Sequence, residues 1–137
     1  MGAVSRLRAG RTLELGPAAG ATPAARLGKA GERAAAAFLR ARGYEVIGAG
    51  FLARRGELDL VCRRGRDLVV VEVKTRSGDA FGTPFEGVGA RKRRALMAAA
   101  AEYRALSEWR GPIHFAVVGV TLREQSFEVE LIEDPFG

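Results

Sequence analysis

The pattern of hydrophobic and polar positions changes its period along the chain, and each change predicts an element. From Lys29, apolar residues recur at helical spacing as far as Gly43, which predicts an amphipathic helix with a glycine just beyond its end. A second helix is predicted from about Ala90 to Leu106, where the sequence is first basic and then rich in alanine. Short apolar runs bounded by turn residues predict five strands, at 44–51, 57–63, 68–75, 113–122 and 127–132.

The order of these elements predicts one α/β domain. A helix, three strands, a second helix and two strands indicate a mixed central sheet with flanking helices, in the order α-β-β-β-α-β-β. We place this domain at residues 28–137, with a glycine- and proline-punctuated loop at 77–85. Residues 1–27 are rich in Arg, Ala, Gly and Pro without a sustained period, so we interpret them as a flexible N-terminal extension.

The strand predicted at 68–75 carries charges where apolar residues are expected. Its run from 68 to 73 is almost continuously apolar, as in a central strand buried on both faces, but Glu72 and then Lys74 interrupt the pattern. Residues two apart point to the same face of a strand, so both side chains share one face. Charged groups on a buried strand are costly unless they are paired or bound to a metal.

The dipeptide Gly65-Arg66 predicts how this strand pairs with the one before it. With glycine first, as a type II′ turn prefers, Arg64 faces Asp67 and the register of the hairpin is fixed. Counting outwards, one side of the hairpin is charged and pairs Asp59 with Glu72 and Glu57 with Lys74. The other side is apolar and pairs Leu58 with Val73, Leu60 with Val71 and Cys62 with Val69.

Two facing carboxylates repel each other, and a divalent cation would relieve that repulsion. Oxygen ligands favour a hard ion such as Mg²⁺ or Mn²⁺, so Asp59 and Glu72 are candidate metal ligands. Lys74 is placed to orient a metal-activated water or to stabilise charge developing on a phosphate, which predicts phosphodiester hydrolysis. The alternative is a simple cross-strand ion pair between Glu57 and Lys74, which leaves the facing carboxylates unexplained.

An acidic residue closing one strand, followed by Glu-x-Lys on the next, resembles the core of the PD-(D/E)XK nucleases, which include restriction enzymes and Holliday-junction resolvases. Over residues 28–122 the sequence is more closely similar to the YraN-type family of bacterial proteins. The motifs that carry this resemblance are Gly31-Glu32, Gly43-Tyr44, Gly56-Glu57-Leu58-Asp59-Leu60-Val61, Val71-Glu72-Val73-Lys74-Thr75-Arg76, Phe81-Gly82-Thr83-Pro84 and Lys92.

The resemblance implies a restriction-endonuclease-like fold with a Mg²⁺ or Mn²⁺ site. Asp59 and Glu72 match the metal-binding acids, Lys74 matches the catalytic lysine, and Glu32 completes the metal site. For Glu32 the alternative is a glutamate favoured by the dipole at a helix N-terminus. The sequence departs from the family at His114-Phe115-Ala116, where Arg-Phe-Asp is usual. If the missing acid serves activity or a partner, part of that role is lost.

Charge adds a candidate partner. The 22 Lys and Arg residues exceed the 16 Asp and Glu residues, and the resulting net charge of +6 favours polyanions such as nucleic acid. An arginine-rich composition is equally compatible with no such role. The densest basic cluster, with the arginine after the Glu-x-Lys motif, gives the candidate nucleic-acid-binding residues: Arg91, Lys92, Arg93, Arg94 and Arg76. The alternative is a solvated, charged helix face.

Other features restrict the class of protein. The single cysteine, Cys62, excludes an intrachain disulfide. Apolar runs are far shorter than the ~18 residues of a membrane span, and no signal-like segment is found, so we expect a cytoplasmic protein without membrane contact.

Two hypotheses follow from the sequence. The first is a metal-dependent endonuclease acting on branched or structured nucleic acid, with DNA expected rather than RNA and a homodimer suggested by analogy with junction resolvases. The second is a non-catalytic nucleic-acid-binding or complex-forming scaffold that retains the nuclease fold.

Overall fold

The computed structural model describes residues 4–9, 22–78 and 89–136. Within these residues the helices are α1 (Pro23–Ala41) and α2 (Ala90–Ser107), and the strands are β1 (Val4–Ala9), β2 (Glu45–Leu52), β3 (Glu57–Arg64), β4 (Asp67–Ser77), β5 (Ile113–Arg123) and β6 (Ser126–Glu133). The predicted α/β fold and its order, α-β-β-β-α-β-β, are confirmed from α1 to β6.

The strands form one mixed sheet in the order β1-β6-β5-β4-β3-β2. β4 and β5 run parallel, and the other neighbours are antiparallel. A parallel pair needs a crossover connection, and α2 lies in that connection. The carboxyl ends of β4 and β5 therefore lie at the same edge of the sheet.

Each helix covers one face of the sheet and closes a hydrophobic core of its own. The core under α1 includes Leu60, Cys62, Val69 and Val71, and the core under α2 includes Leu58, Val61, Leu68 and Val70. Strand β4 contributes to both cores, so its first half is buried on both faces as predicted.

Neither of the described helices combines the length and the apolar character that a bilayer-spanning helix needs.

Helix α1 begins earlier than predicted. Thr22 is its N-cap, and the Thr22 hydroxyl accepts a hydrogen bond from the backbone N–H of Ala25 at 3.0 Å. Pro23 follows within the first turn, where its missing N–H removes no intrahelical bond. The predicted start at Lys29 is therefore wrong, because this capping signal lies inside the segment assigned to the extension.

Strand β1 also lies in the predicted extension. It pairs antiparallel with β6 at the edge of the sheet, from Val4 opposite Ile132 to Ala9 opposite Phe127. Residues 10–21 lie outside the described residues, as does most of the loop predicted at 77–85. The domain boundary at residue 28 remains a prediction.

The β3–β4 hairpin has the predicted register. Gly65 has φ +62°, as the first central residue of a type II′ turn requires, and Arg64 pairs with Asp67. The ladder continues as far as Leu60 opposite Val71 and ends there.

Beyond that point the predicted face of Leu58 is wrong, whereas Val73 packs against the core under α1 together with Leu60 and Val71, as predicted. Leu58 packs in the core under α2, whereas Leu60 and Cys62 pack under α1. The alternation is broken at Asp59, which has no ladder partner in β2 or β4. Across from it, Gly50 of β2 has φ +66°, a conformation that glycine adopts easily. Strands β2 and β3 both turn at this level, so Leu58 lies on the face opposite to the one that strict alternation predicts.

Candidate metal centre

Asp59 lies where β3 and β4 separate. Beyond the last ladder pair, the side chain of Asp59 rather than its backbone bonds to β4. Asp59 Oδ2 accepts a hydrogen bond from the backbone N–H of Val73 at 2.8 Å. The carboxyl group is thereby held against β4, beside Glu72. The structure thus brings Asp59 and Glu72 together, through a side chain in the gap between strands rather than through a regular facing pair.

The pKa of Asp59 is raised from its ordinary value of 3.8 to about 7. Burial of the carboxyl group is the largest cause, and the negative charge of Glu72 is the next. The charge of Glu32 acts in the same direction, whereas the hydrogen bond from the Val73 N–H opposes it. Asp59 therefore resists ionisation unless a further positive charge lies beside it.

Glu72 is buried, with 5% of its surface exposed. Its Oε1 lies 3.1 Å from Lys92 Nζ, and this ion pair connects β4 to the first turn of α2. Its Oε2 is buried and has no hydrogen-bond partner within the described part of the chain. An unpartnered buried carboxylate oxygen is costly, so Oε2 is the atom of this site that a cation would stabilise most.

Lys74 lies two residues after Glu72 on β4 and is half-buried. Among the described residues its ammonium group makes no ion pair, and the alternative pair with Glu57 is not formed. Arg76, two residues further on, is also half-buried and has an interaction partner of its own. Lys74 is therefore the cation of β4 that a ligand at this edge of the sheet can engage.

A close contact between α1 and β4 brings Glu32 towards the site. Gly31 is buried against Thr75, and a Cβ at Gly31 would lie 2.1 Å from Thr75 Oγ1. Only glycine allows the helix to approach the strand this closely. The next residue, Glu32, is half-buried, and its charge contributes to the raised pKa of Asp59.

The predicted set of three carboxylates is not assembled as one ligand group. Across the residues that the structure describes, no three His, Cys, Asp or Glu side chains are arranged to hold a metal ion. Asp59 and Glu72 lie together, and the role of Glu32 stays a prediction. Two carboxylates are nevertheless compatible with Mg²⁺, which usually keeps several of its waters.

The basic cluster at the start of α2 divides into two parts. Lys92 pairs with Glu72 on the sheet, whereas Arg91, Arg93 and Arg94 are exposed. The first turn of α2 contains no acidic residue and has no side-chain N-cap. The helix dipole and the exposed arginines therefore make this end of α2 positive.

Sequence reasoning predicts Lys92 as a nucleic-acid ligand and misses its ion pair with Glu72. The sequence contains one signal for this ion pair. Lys29, Lys74 and Lys92 are the only lysines among 22 basic residues, and two of the three lie at this site. The hydrogen bond between Asp59 and the Val73 N–H has no comparable signal, because it depends on where the two strands separate.

His114, where the sequence departs from the YraN-type pattern, lies at the opposite end of β4 and β5. Its Nε2 is 3.3 Å from Asp67 Oδ2, and its Nδ1 is 3.7 Å from Asp134 Oδ1. His114 and Ala116 line a cavity of about 170 Å³ at this end. Ala116, which stands where the family has the acid, pairs with Val71, directly before Glu72. Its side chain packs with Val71 in the core under α1.

Comparisons with known proteins identify the family. The family model described as "Uncharacterised protein family UPF0102" matches residues 31–120. A UPF0102 protein of Symbiobacterium thermophilum is 49% identical over 96 residues, which are 69% of this chain and 81% of that protein. A UPF0102 protein of Anaeromyxobacter dehalogenans is 44% identical over 106 residues, which are 76% of this chain and 78% of that protein. A UPF0102 protein of Moorella thermoacetica is 40% identical over 114 residues, which are 81% of this chain and 95% of that protein. The chain therefore belongs to the UPF0102 family, the YraN-like group whose motifs it carries.

Proposed function

We propose that the protein is a Mg²⁺- or Mn²⁺-dependent endonuclease of the PD-(D/E)XK type, which hydrolyses phosphodiester bonds in branched or structured DNA. The observation that carries the proposal is Glu72 Oε2, a buried oxygen with no partner in the described part of the chain, next to the carboxyl group of Asp59. Two adjacent buried carboxylates are stable as anions only where cations neutralise them. Lys92 supplies one positive charge, at Oε1, and does not pair with Oε2.

The donor set fits a hard divalent cation. Asp59 and Glu72 offer carboxylate oxygens, and the charge of Glu32 also acts on Asp59. When bound, such an ion activates a water molecule and neutralises charge on the phosphate. The Val73 N–H and Lys92 would keep the two ligating carboxylates in fixed orientations, as hydrogen-bond partners of metal ligands commonly do.

Lys74 has the properties of the catalytic lysine in this proposal. It follows Glu72 on β4, and within the described residues its ammonium group is not committed to a carboxylate. There it would hold the attacking water or stabilise the negative charge that develops on the phosphate. An arginine at this position could do the second but could not exchange a proton with the water.

A second candidate function is a non-catalytic nucleic-acid-binding or complex-forming scaffold. The ion pair between Lys92 and Glu72 favours it, because the ammonium group already neutralises one carboxylate. Asp59, with its raised pKa, can remain protonated and neutral. A site that is neutral without a metal does not require one for stability.

Calorimetric titration of Mn²⁺ into the purified protein separates the two functions, because metal binding needs no substrate. We expect saturable binding by the wild type and roughly tenfold weaker binding, or none, by Glu72→Gln, which keeps the shape of the side chain and removes its charge. Glu57→Gln is the matched control, since Glu57 is an exposed carboxylate on β3 and should bind Mn²⁺ as the wild type does.

Absence of binding, or equal binding by the wild type and Glu72→Gln, would contradict the metal centre and leave the scaffold. If binding depends on Glu72, linear, hairpin and branched DNA and RNA are screened for cleavage. Asp59→Ala and Lys74→Ala should both abolish cleavage, but only Asp59→Ala should weaken Mn²⁺ binding.

A further inference from the structure

An open cavity of about 520 Å³ lies at the carboxyl-terminal end of α2, far from the metal centre. It is formed between the β3–β4 turn and the segment that follows α2. Three arginines line it: Arg63, Arg66 and Arg110. Glu108 is the single carboxylate among its lining residues, so the cavity is positively charged and suited to an anionic group.

The backbone around this cavity is held in place by its own hydrogen bonds. Arg104 Nη1 donates to the carbonyl oxygens of Trp109 and Gly111, at 3.0 and 3.1 Å. Trp109 Nε1 donates to the carbonyl oxygen of Pro112 at 3.2 Å. A Cβ at Gly111 would lie 2.4 Å from the Arg66 carbonyl oxygen, so the two segments touch through a glycine. The cavity is therefore preformed rather than created by a ligand.

The exposed side of α2 connects this cavity to the basic cluster at the other end of the helix. Exposed residues without negative charge follow one another at helical spacing: Arg93, Met97, Ala101 and Arg104. The single acidic residue of α2, Glu102, accepts a hydrogen bond from the backbone N–H of Arg54. A polyanion lying along this side would meet no opposing carboxylate until Glu108.

We propose that the cavity holds a backbone phosphate of the nucleic acid whose other end lies at Asp59 and Glu72. This rests on the proposed function, because that function supplies the nucleic-acid partner. The 18 residues of α2 span about 27 Å at 1.5 Å per residue, which is roughly eight base pairs of duplex DNA. The cavity is thus a second anchoring point that makes binding depend on the length of the duplex.

Trp109 makes this proposal testable, because it is the only tryptophan of the chain and lines the cavity. We would titrate the full chain with hairpin-closed DNA stems of 6 and 16 base pairs, following Trp109 emission and the anisotropy of a labelled stem. Binding of the 16-base-pair stem should change the emission of Trp109 to saturation.

The cavity variant, Arg66→Gln/Arg110→Gln, tests the contacts with the phosphate. Its matched control, Arg33→Gln/Arg40→Gln, removes two exposed arginines from α1 on the other face of the sheet. The cavity variant should bind the 16-base-pair stem roughly tenfold more weakly and should lower the salt slope of binding by about 0.9, the change expected for the loss of one phosphate contact. It should affect the 6-base-pair stem less, while the control resembles the wild type.

The proposal is overturned if Trp109 emission is unchanged when anisotropy shows saturation, if the cavity variant behaves as the control does, or if no stem binds. Mn²⁺ calorimetry on the cavity variant keeps the two proposals apart. The cavity variant should bind Mn²⁺ as the wild type does. Mn²⁺ binding that is lost in Glu72→Gln and kept in the cavity variant tests the metal centre and not the cavity.

Discussion

At the scale of single residues, Asp59 couples the stability of the metal-free protein to pH. Its carboxyl group ionises near 3.8 in an ordinary environment and near 7 in the fold. Between those values the folded chain keeps a proton that the unfolded chain has released, so acid favours folding. This contribution to the free energy of unfolding is fully present below about pH 4 and is lost as the pH rises towards 7.

The substitution Asp59→Asn should remove this pH dependence. Asparagine keeps an oxygen that can accept the Val73 N–H, and it has no proton to lose. Urea denaturation in the presence of EDTA at pH 5 and pH 8 measures the free energy of unfolding. The wild type should lose more stability than the variant between the two values, and at pH 8 the variant should be at least as stable. Equal losses of stability in both proteins would show that Asp59 does not cause the pH dependence of the free energy of unfolding. The control variant Glu57→Gln should behave as the wild type.

The sequence predicts the meeting of Asp59 and Glu72 because hairpin register follows from a local turn. Counting outwards from Gly65 requires no knowledge of the rest of the fold. The partner of Glu72 is different, because Lys92 is 20 positions away and reaches it only once α2 has docked on the sheet. No periodicity within α2 encodes that docking, so the sequence does not predict the ion pair between Lys92 and Glu72, and the role of Lys92 as a nucleic-acid ligand stays a prediction.

At the scale of elements, the packing of α1 on β4 determines how closely the helix approaches the candidate metal centre. Gly31 allows contact with Thr75, and Glu32 follows at once in the sequence. Gly28 lies three residues earlier on the same helix, and a Cβ at Gly28 would meet no atom within 4 Å. The two glycines therefore form a natural pair for comparison.

The substitutions Gly31→Ala and Gly28→Ala should have opposite effects on stability. Gly31→Ala inserts a methyl group 2.1 Å from Thr75 Oγ1 and should lower the free energy of unfolding by about 1–3 kcal/mol. Gly28→Ala should raise it by up to about 1 kcal/mol, because alanine is the better helix former. Thermal or urea denaturation measures both. A stabilising Gly31→Ala would contradict the close contact between α1 and β4.

The order of elements is predictable because each helix and strand carries its own period, but their ends and faces are less so. The start of α1 is predicted too late, since Thr22 and Pro23 stand in a stretch without apolar period. The face of Leu58 is predicted wrongly because strict alternation assumes a regular ladder, and the ladder ends at Leu60. Both errors arise where a non-local or irregular feature replaces a periodic one.

At the scale of the whole molecule, many of the exposed arginines lie in or next to α2 and β3. Exposed arginines occur in β3, in the turns on either side of it, in α2 and in the segment that follows α2: Arg54, Arg55, Arg63, Arg66, Arg91, Arg94, Arg104 and Arg110. Lys92 of α2 also pairs with Glu72, so the same helix connects these arginines to the candidate metal centre. A polyanion attracted to these arginines would be brought close to Asp59 and Glu72, as the proposed function requires.

Removing charge at the start of α2 should therefore weaken nucleic-acid binding without affecting the metal. In Arg91→Gln/Arg94→Gln both substituted side chains are exposed, and Arg93, which lies 5.9 Å from the ring centroid of Phe136, is left in place. The slope of log affinity against log salt should fall by about 1.8, at about 0.9 per phosphate contact, while Mn²⁺ binding is retained. Anisotropy titrations of labelled DNA at salt concentrations between roughly 50 and 200 mM measure the slope. A slope equal to that of Arg33→Gln/Arg40→Gln would mean that the cluster is only a solvated helix face, and the positive end of α2 would then serve Glu72 alone.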